Sequence, residues 1–308
     1  MLPLEKIKSG FVALIGRPNV GKSTLLNALL NTKISIVSSV PQTTRYAIRG
    51  ILNLSNAQIV FVDSPGIHSY KDNLAQYLNI IATRVLEDVE IVIYIVDVTR
   101  NPGYEEELIV KKLISLNTKI IMALNKIDKN KKFLNDYISL WNKEEQKILD
   151  NGSTKKLLYY IPISAKTGYN LDKLIEAIEE NLPWGTPFYS KDTLTDFPLK
   201  FRIADIIREK LFLKLKKELP HSLAVEVIDI EDKNRCVYIE AYIYVNRTSQ
   251  KQIIIGKKGS FIRDVGIASR EEIEEMFHKK VYLHLQVKVI RGWQKKIRIL
   301  KELGYQTI

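Results

Sequence analysis

The chain of 308 residues has one cysteine, Cys236, no apolar run long enough to cross a bilayer, and no internal repeat or low-complexity stretch. A single thiol excludes an internal disulfide framework and fits a reducing compartment. Its strand-like neighbourhood, Cys236-Val-Tyr-Ile-Glu240, reads as packing rather than nucleophilic chemistry. The longest apolar runs, such as Ile91–Val96, fall far short of the ~20 residues a membrane helix needs. Met1–Lys6 carries no apolar signal-peptide core, so a cytosolic protein is expected. Acidic residues are in deficit: 47 Lys and Arg against 35 Asp and Glu leave a net charge of +12. That excess is +4 over residues 1–190 and +8 over the much shorter 191–308. The second part is therefore expected to meet a polyanion, drawn by long-range attraction and counterion release.

Two domains are expected at this length. Residues 10–182 alternate short apolar strand patterns (11–15, 48–53, 58–63, 91–97, 119–124, 158–163) with helical ones (22–31, 72–87, 104–115, 131–150, 170–181). This βα alternation predicts a mainly parallel sheet with helices on both faces, which binds ligands beyond the carboxyl ends of its strands. Prolines and a glycine in Asn181–Pro187 interrupt the pattern. The expected division is a nucleotide-binding domain over 1–182, a linker over 183–197 and an α+β domain over 198–308. The last reads helix (198–218), strands (222–231, 235–245), helices around Gly256–Gly259, a strand (281–291) and a short helix.

Gly16-Arg17-Pro18-Asn19-Val20-Gly21-Lys22-Ser23 has the spacing of a phosphate-binding P-loop. It follows the apolar Phe11–Ile15 and precedes the helix-prone Thr24–Leu30, the strand–loop–helix setting the motif requires. Its glycines let backbone N–H groups turn toward phosphates, and the following helix adds its dipole. Lys22 can reach the β- and γ-phosphates, and the Ser23 hydroxyl can ligate Mg²⁺. Asp63-Ser64-Pro65-Gly66 ends another strand. Asp63 can hold the same metal through its water shell, and the Gly66 N–H can meet a γ-phosphate. Between these motifs lies Val40–Arg45. A threonine here, Thr43 or Thr44, can complete the Mg²⁺ shell and sense the γ-phosphate, so the segment orders with the triphosphate. Lys22 and these threonines are the expected catalytic residues.

Asn125-Lys126-Ile127-Asp128 selects the base. An Asp carboxylate accepts from both N1–H and the exocyclic amine of guanine, whereas adenine would leave it unpaired. Asn125 can tie this loop to the P-loop, the Lys126 stem can cover a face of the base, and Ser164-Ala165-Lys166 can close the pocket. The nucleotide expected is GTP, with GDP as product. A Ras-like protein carries glutamine after its Asp-x-x-Gly to orient the attacking water; here Ile67 stands instead, with His68 beside it. Intrinsic hydrolysis is therefore expected to be slow.

In the basic part, Ile255-Gly256-Lys257-Lys258-Gly259 sits between two helical patterns. A Gly-x-x-Gly turn alone fits an ordinary helix–helix connection. The surrounding order of elements and the positive charge favour a clamp on backbone nucleotides, with the lysines directed at phosphates. Ile253, Ile254 and Ile255 are expected to be mostly core. Tyr242, Tyr244 and Tyr282 fit strand packing better than base stacking.

These motifs, with Gln42-Thr-Thr-Arg45, Ile206–Lys210, Gly292-Trp293 and Leu303-Gly-Tyr305, make the chain resemble the Era GTPases of the TrmE–Era group over nearly its full length. The resemblance implies a single GTPase domain followed by a type II KH domain. It also implies a factor for maturation of the 30S subunit that binds near the 3′ end of 16S rRNA on the immature particle, with peripheral contact at the inner face of the cell membrane. Members of the wider group with asparagine at the position of Asn19 use K⁺ during hydrolysis, which makes Asn19 a candidate K⁺ ligand. A monomer is expected. A switch driven by GTP hydrolysis is the leading reading; a constitutive RNA-binding protein with a structural GTPase domain is the alternative.

Overall fold

The computed structural model describes residues 6–38, 40, 43–66, 73–150, 154–215 and 219–305. The chain forms two compact units: Met1–Ser35 with Thr44–Asp196, and Ile36–Thr43 with Phe197–Ile308.

In the first unit the strands are β1 (Ile7–Ile15), β2 (Ile48–Asn53), β3 (Ala57–Asp63), β4 (Ile91–Asp97), β5 (Lys119–Asn125), β6 (Leu157–Pro162) and the two-residue β7 (Trp184–Gly185). They form one sheet in the order β2-β3-β1-β4-β5-β6, with β7 added to β1. All pairings are parallel except β2 on β3 and β7 on β1. Every residue of β3 and β4 is buried, the signature of a parallel sheet covered on both faces. The helices are α1 (Lys22–Leu29), α2 (Asn73–Arg84), α3 (Tyr104–Ile114), α4 (Leu134–Leu149) and α5 (Leu171–Asn181). Apolar residues of β1, β4 and β5 pack with Ile109, Val110 and Leu113 of α3 and with Tyr137 and Trp141 of α4. Three glutamates, Glu105–Glu107, occupy the first turn of α3, where the helix dipole favours negative charge.

The expected linker 183–197 is largely fastened to this unit. Beyond β7, the Gln58 side-chain oxygen accepts from the Phe188 and Tyr189 N–H groups at 2.7 and 3.0 Å. The Ile51 N–H donates to Leu194 O at 2.9 Å, and Arg49 pairs with Asp196 at 2.8 Å. Proline and glycine do interrupt the helical pattern here, but β2 and β3 recruit the segment through backbone and side-chain groups.

The second unit follows the order helix–strand–strand–helix–helix–strand: α6 (Leu199–Lys214), β8 (Ala224–Lys233), β9 (Cys236–Val245), α7 (Thr248–Ile255), α8 (Ser260–Phe277) and β10 (Lys280–Val289), closed by the short α9 (Ile297–Glu302). Its sheet runs β10-β9-β8, with β9 antiparallel to β8 and parallel to β10. Alternate residues of β9 (Val237, Ile239, Ala241, Ile243) are buried with Ile203, Ile207 and Leu211 of α6 and Val265 and Ile273 of α8. Each strand's period of two thus meets a helix's apolar stripe. Cys236 is a free, half-buried thiol in β9.

Candidate functional site

The P-loop, Asp63, Asn125 and Ser164 all fall at carboxyl ends of the parallel strands β1, β3, β5 and β6. Between β1 and α1 the loop is held from outside by its carbonyl oxygens. Arg100 donates to Pro18 O at 3.3 Å, Lys126 Nζ to Asn19 O at 2.7 Å, and Asn125 Nδ2 to Val20 O at 2.8 Å. Carbonyls fixed outward leave N–H groups free to turn inward, the arrangement an anion requires. Asn19 and Gly21 have φ of 64° and 108°. Asparagine tolerates the left-handed region. At Gly21 a Cβ would stand 2.5 Å from Asn125 Nδ2, so only glycine admits the bond that joins the two loops.

Lys22 is buried and donates to Gly16 O and Arg17 O at 3.1 and 3.0 Å. Burial pulls its ammonium down to about 8, against the opposing pull of Asp63. A polyphosphate would supply the counter-charge this lysine lacks. The Arg17 guanidinium turns away to α3, donating to both Glu106 oxygens at 2.8 Å and to Glu105. What Arg17 offers the loop is thus its backbone, and α3 holds its side chain.

Ser23 Oγ lies 2.9 Å from Thr44 Oγ1 and 2.6 Å from Asp63 Oδ2, which also accepts from Ser35 Oγ at 2.9 Å. Burial raises the Asp63 pKa, opposed by Lys22 and the two serine hydroxyls. Its other oxygen, Oδ1, is buried and has no hydrogen-bond partner among the described residues. Two hydroxyls and a carboxylate with an unsatisfied buried oxygen form a donor set suited to a hard divalent cation such as Mg²⁺. The structure also separates the two threonines. Thr44 belongs to the first unit; Thr43 belongs to the second, where its hydroxyl meets Ser38 Oγ and Val40 O and its carbonyl accepts from Arg208. Ser64 is buried and donates to Leu14 O, while Gly66 lies against Pro18 and Lys22. Gln42, Ile67 and His68 lie outside the described residues.

Asn125 is the joint of the base-side loops. Its Nδ2 reaches the P-loop, and its Oδ1 accepts from the Lys126 and Ala165 N–H groups at 2.8 and 2.9 Å. Asp128 is exposed, and one carboxylate oxygen accepts from Ser164 Oγ at 2.7 Å, which orients it. Lys166, two residues beyond Ser164, is exposed. Lys126 Nζ also pairs with Asp97 at 2.6 Å. Asp97 ends β4 as Asp63 ends β3, a position that could have marked it in the sequence.

In the second unit, α7 stops at Gly256 (φ 73°), where a Cβ would lie 2.7 Å from Phe261 Cβ and 2.8 Å from its N. This glycine lets α7 and α8 close tightly around the exposed Lys257 and Lys258. Ile254 is fully buried, Ile255 packs on the core and Ile253 is exposed. Next to the turn, α8 and β10 line a cleft of about 370 Å³ that includes Ile262, Arg263, Ile267, Arg270, Leu283 and Leu285. The sequence reading stopped at the turn and named none of these residues; the two arginines in the α8 segment were the available signal. Of the tyrosines, Tyr244 is buried and bonded to Glu226, as packing predicts. Tyr282 is exposed and stacks on Tyr238, centroids 5.7 Å apart.

The GTPase family described as "50S ribosome-binding GTPase" matches residues 11–126, and the KH domain family matches 218–294. The chain is 40% identical over 307 residues to the GTPase Era of Geotalea daltonii, covering 98% of this chain and 99% of that one. It is 43% identical over 304 residues to the GTPase Era of Caldicellulosiruptor saccharolyticus, covering 97% of each. The chain belongs to the Era GTPases. Two solved Era structures superpose with TM-scores of 0.89 at 37% identity, covering 98% of this chain and all of theirs. One is an Era complex with MgGDPNP and nucleotides 1506–1542 of 16S ribosomal RNA; the other is an Aquifex aeolicus Era variant bound to GDP and AlF4⁻. The Era fold thus accounts for both units, a P-loop GTPase domain and a KH domain.

Proposed function

We propose that this Era-family chain is a GTP-hydrolysing, RNA-binding switch in maturation of the small ribosomal subunit, acting near the 3′ end of 16S rRNA. The observation that carries it is the Asn125 side chain. That residue ties a guanine-selective Asp128 loop to a P-loop in the same chain as a Gly-x-x-Gly turn bearing two exposed lysines. The Era complex with 16S rRNA supports the choice of RNA.

In this reading the backbone of Gly16–Thr24 surrounds the phosphates, with Lys22 leaving the carbonyls of Gly16 and Arg17 for the β- and γ-phosphates. Ser23 and Thr44 would hold Mg²⁺, with Asp63 behind them, and Gly66 would face the γ-phosphate. Held there, Mg²⁺ would supply charge that neutralises the phosphates. Thr44 is taken as the metal ligand in preference to Thr43, whose hydroxyl and carbonyl make bonds within the second unit. Asp128 reads the base, the Lys126 stem covers one face, and Ser164–Lys166 close the pocket. RNA would enter the cleft between α8 and β10, with its backbone clamped at Ile255–Gly259.

The immature 30S subunit puts the work in the cytosol. A membrane contact would be peripheral, since no helix among the described residues is long and apolar enough to cross a bilayer. The test is RNA affinity measured with GDP and with a non-hydrolysable GTP analogue. A difference of about fivefold or more is expected of a coupled switch. Equal affinities would instead make it a constitutive RNA-binding protein with a structural GTPase domain.

Asn19 would provide a K⁺ ligand beside the phosphates, its left-handed backbone held by Lys126. GTP hydrolysis should then run about tenfold or more faster in KCl than in NaCl at equal ionic strength. Equal rates would remove K⁺ from the reading.

A further inference from the structure

The β4 strand ends in a carboxylate that the nucleotide motifs do not include. Asp97 is 5% exposed and meets donors at both oxygens. Oδ1 accepts from the Thr99 N–H at 3.1 Å and the Thr99 hydroxyl at 2.6 Å. Oδ2 lies 2.6 Å from Lys126 Nζ and 3.8 Å from Arg100 Nε. These two cations are also the ones that hold successive P-loop carbonyls, Lys126 at Asn19 O and Arg100 at Pro18 O. One buried carboxylate thus bonds the first of these grips directly and lies within ion-pair distance of the second.

We propose that Asp97 is a positioning residue for guanine-nucleotide binding, acting through Lys126. The lysine stem can lie across a base only if its ammonium is held at the far side. Two partners fix it there, Asp97 and Asn19 O. Without the carboxylate, the ammonium keeps a single carbonyl and its four-carbon stem regains rotamer freedom that binding must then remove. The contribution is made equally to GDP and GTP, because Lys126 belongs to the base-reading Asn125–Asp128 motif and not to the groups expected at the γ-phosphate. It is therefore uniform binding and does not lower the barrier to hydrolysis. Recognition of the guanine edge remains with Asp128.

The inference rests on the proposed GTPase reading, and Asp97→Asn tests it in the full-length protein with GDP and GTP. Both affinities should fall by about tenfold or more, as expected when one partner of a buried charge pair is neutralised. GDP dissociation should quicken accordingly, kcat at saturating GTP should hold within about twofold, and KM should rise. The preference for GTP over inosine triphosphate, which lacks the exocyclic amine, should not change. In a Lys126→Ala background the same substitution should cost less than about twofold more, since the partner is already gone. Asp97→Asn losses that add in full to those of Lys126→Ala, or a fall in kcat with unchanged affinity, would overturn the proposal. Should Asp97→Asn fold poorly, Thr99→Val removes the hydroxyl that orients Oδ1. It should move both affinities in the same direction by a smaller factor; unchanged affinities in Thr99→Val would count against the proposal. A wild-type protein with no guanine-nucleotide affinity would instead defeat the GTPase reading itself.

Discussion

Asp128→Asn is expected to turn a GTP-selective protein into one that prefers xanthosine triphosphate. Guanine presents N1–H and the exocyclic amine to a carboxylate that accepts both. An asparagine amide presents one acceptor and one donor, so its NH₂ faces the guanine amine unproductively. Xanthine replaces that amine with a carbonyl, which accepts from the new NH₂. The structure favours a clean exchange. Asp128 is exposed and one of its oxygens accepts from Ser164 Oγ, a bond the amide oxygen can keep. GTP affinity should fall by about a hundredfold or more, the cost of losing a charge-assisted bidentate contact and leaving its donors unmatched. Competition binding with GTP and xanthosine triphosphate reads the result directly. Full retention of GTP selectivity would take Asp128 out of the base pocket.

Replacing Lys257 and Lys258 together with aspartate should remove RNA binding and leave GTP hydrolysis nearly intact. Both side chains are exposed, so the fold loses little by the change. Lys258 has φ 51°, a left-handed conformation that aspartate tolerates better than most residues. Two cations proposed to face phosphates become two anions. Affinity for a single-stranded 16S 3′-end fragment should fall by about a hundredfold or more at low salt. For the milder neutral pair, Lys257→Gln with Lys258→Gln, the slope of log affinity against log salt should shrink by about 1.4 units. GTPase rates measured without RNA should stay within about twofold of the unaltered protein. RNA binding that survives the double reversal would place the nucleic acid elsewhere than the Gly-x-x-Gly turn.

Much of the nucleotide site is legible in the sequence because its motifs are contiguous and end apolar strands. A run such as Ile91–Val96 buried on both faces, followed at once by polar residues, marks both a central strand and its carboxyl end. The P-loop, Asp63, Asn125–Asp128 and Ser164–Lys166 inherit their places from that pattern. The KH order is legible for the same reason, since a period of two gives way to helical spacing on either side of Gly256. The extra strand β7 is not, because two residues carry no periodicity; only the pairing with β1 reveals them. Nor is the fastening of Phe188–Asp196 to the first unit visible there, since it depends on Gln58 and Arg49 more than a hundred residues earlier.

From sequence alone came the element order, the guanine-nucleotide motifs, the hydroxyl and carboxylate types suited to Mg²⁺ and the basic Gly-x-x-Gly turn, all properties of short segments and their spacing. The tertiary structure decided among residues of equal chemical type. It put Thr44 rather than Thr43 beside Ser23, turned Arg17 toward Glu106 on α3, and set Asp97 under Lys126. It also set α8 beside β10, opening the cleft next to the Gly-x-x-Gly turn. Local backbone preference fixes where a side chain starts, but its partner is chosen by whichever distant segment the packed core brings within hydrogen-bonding reach.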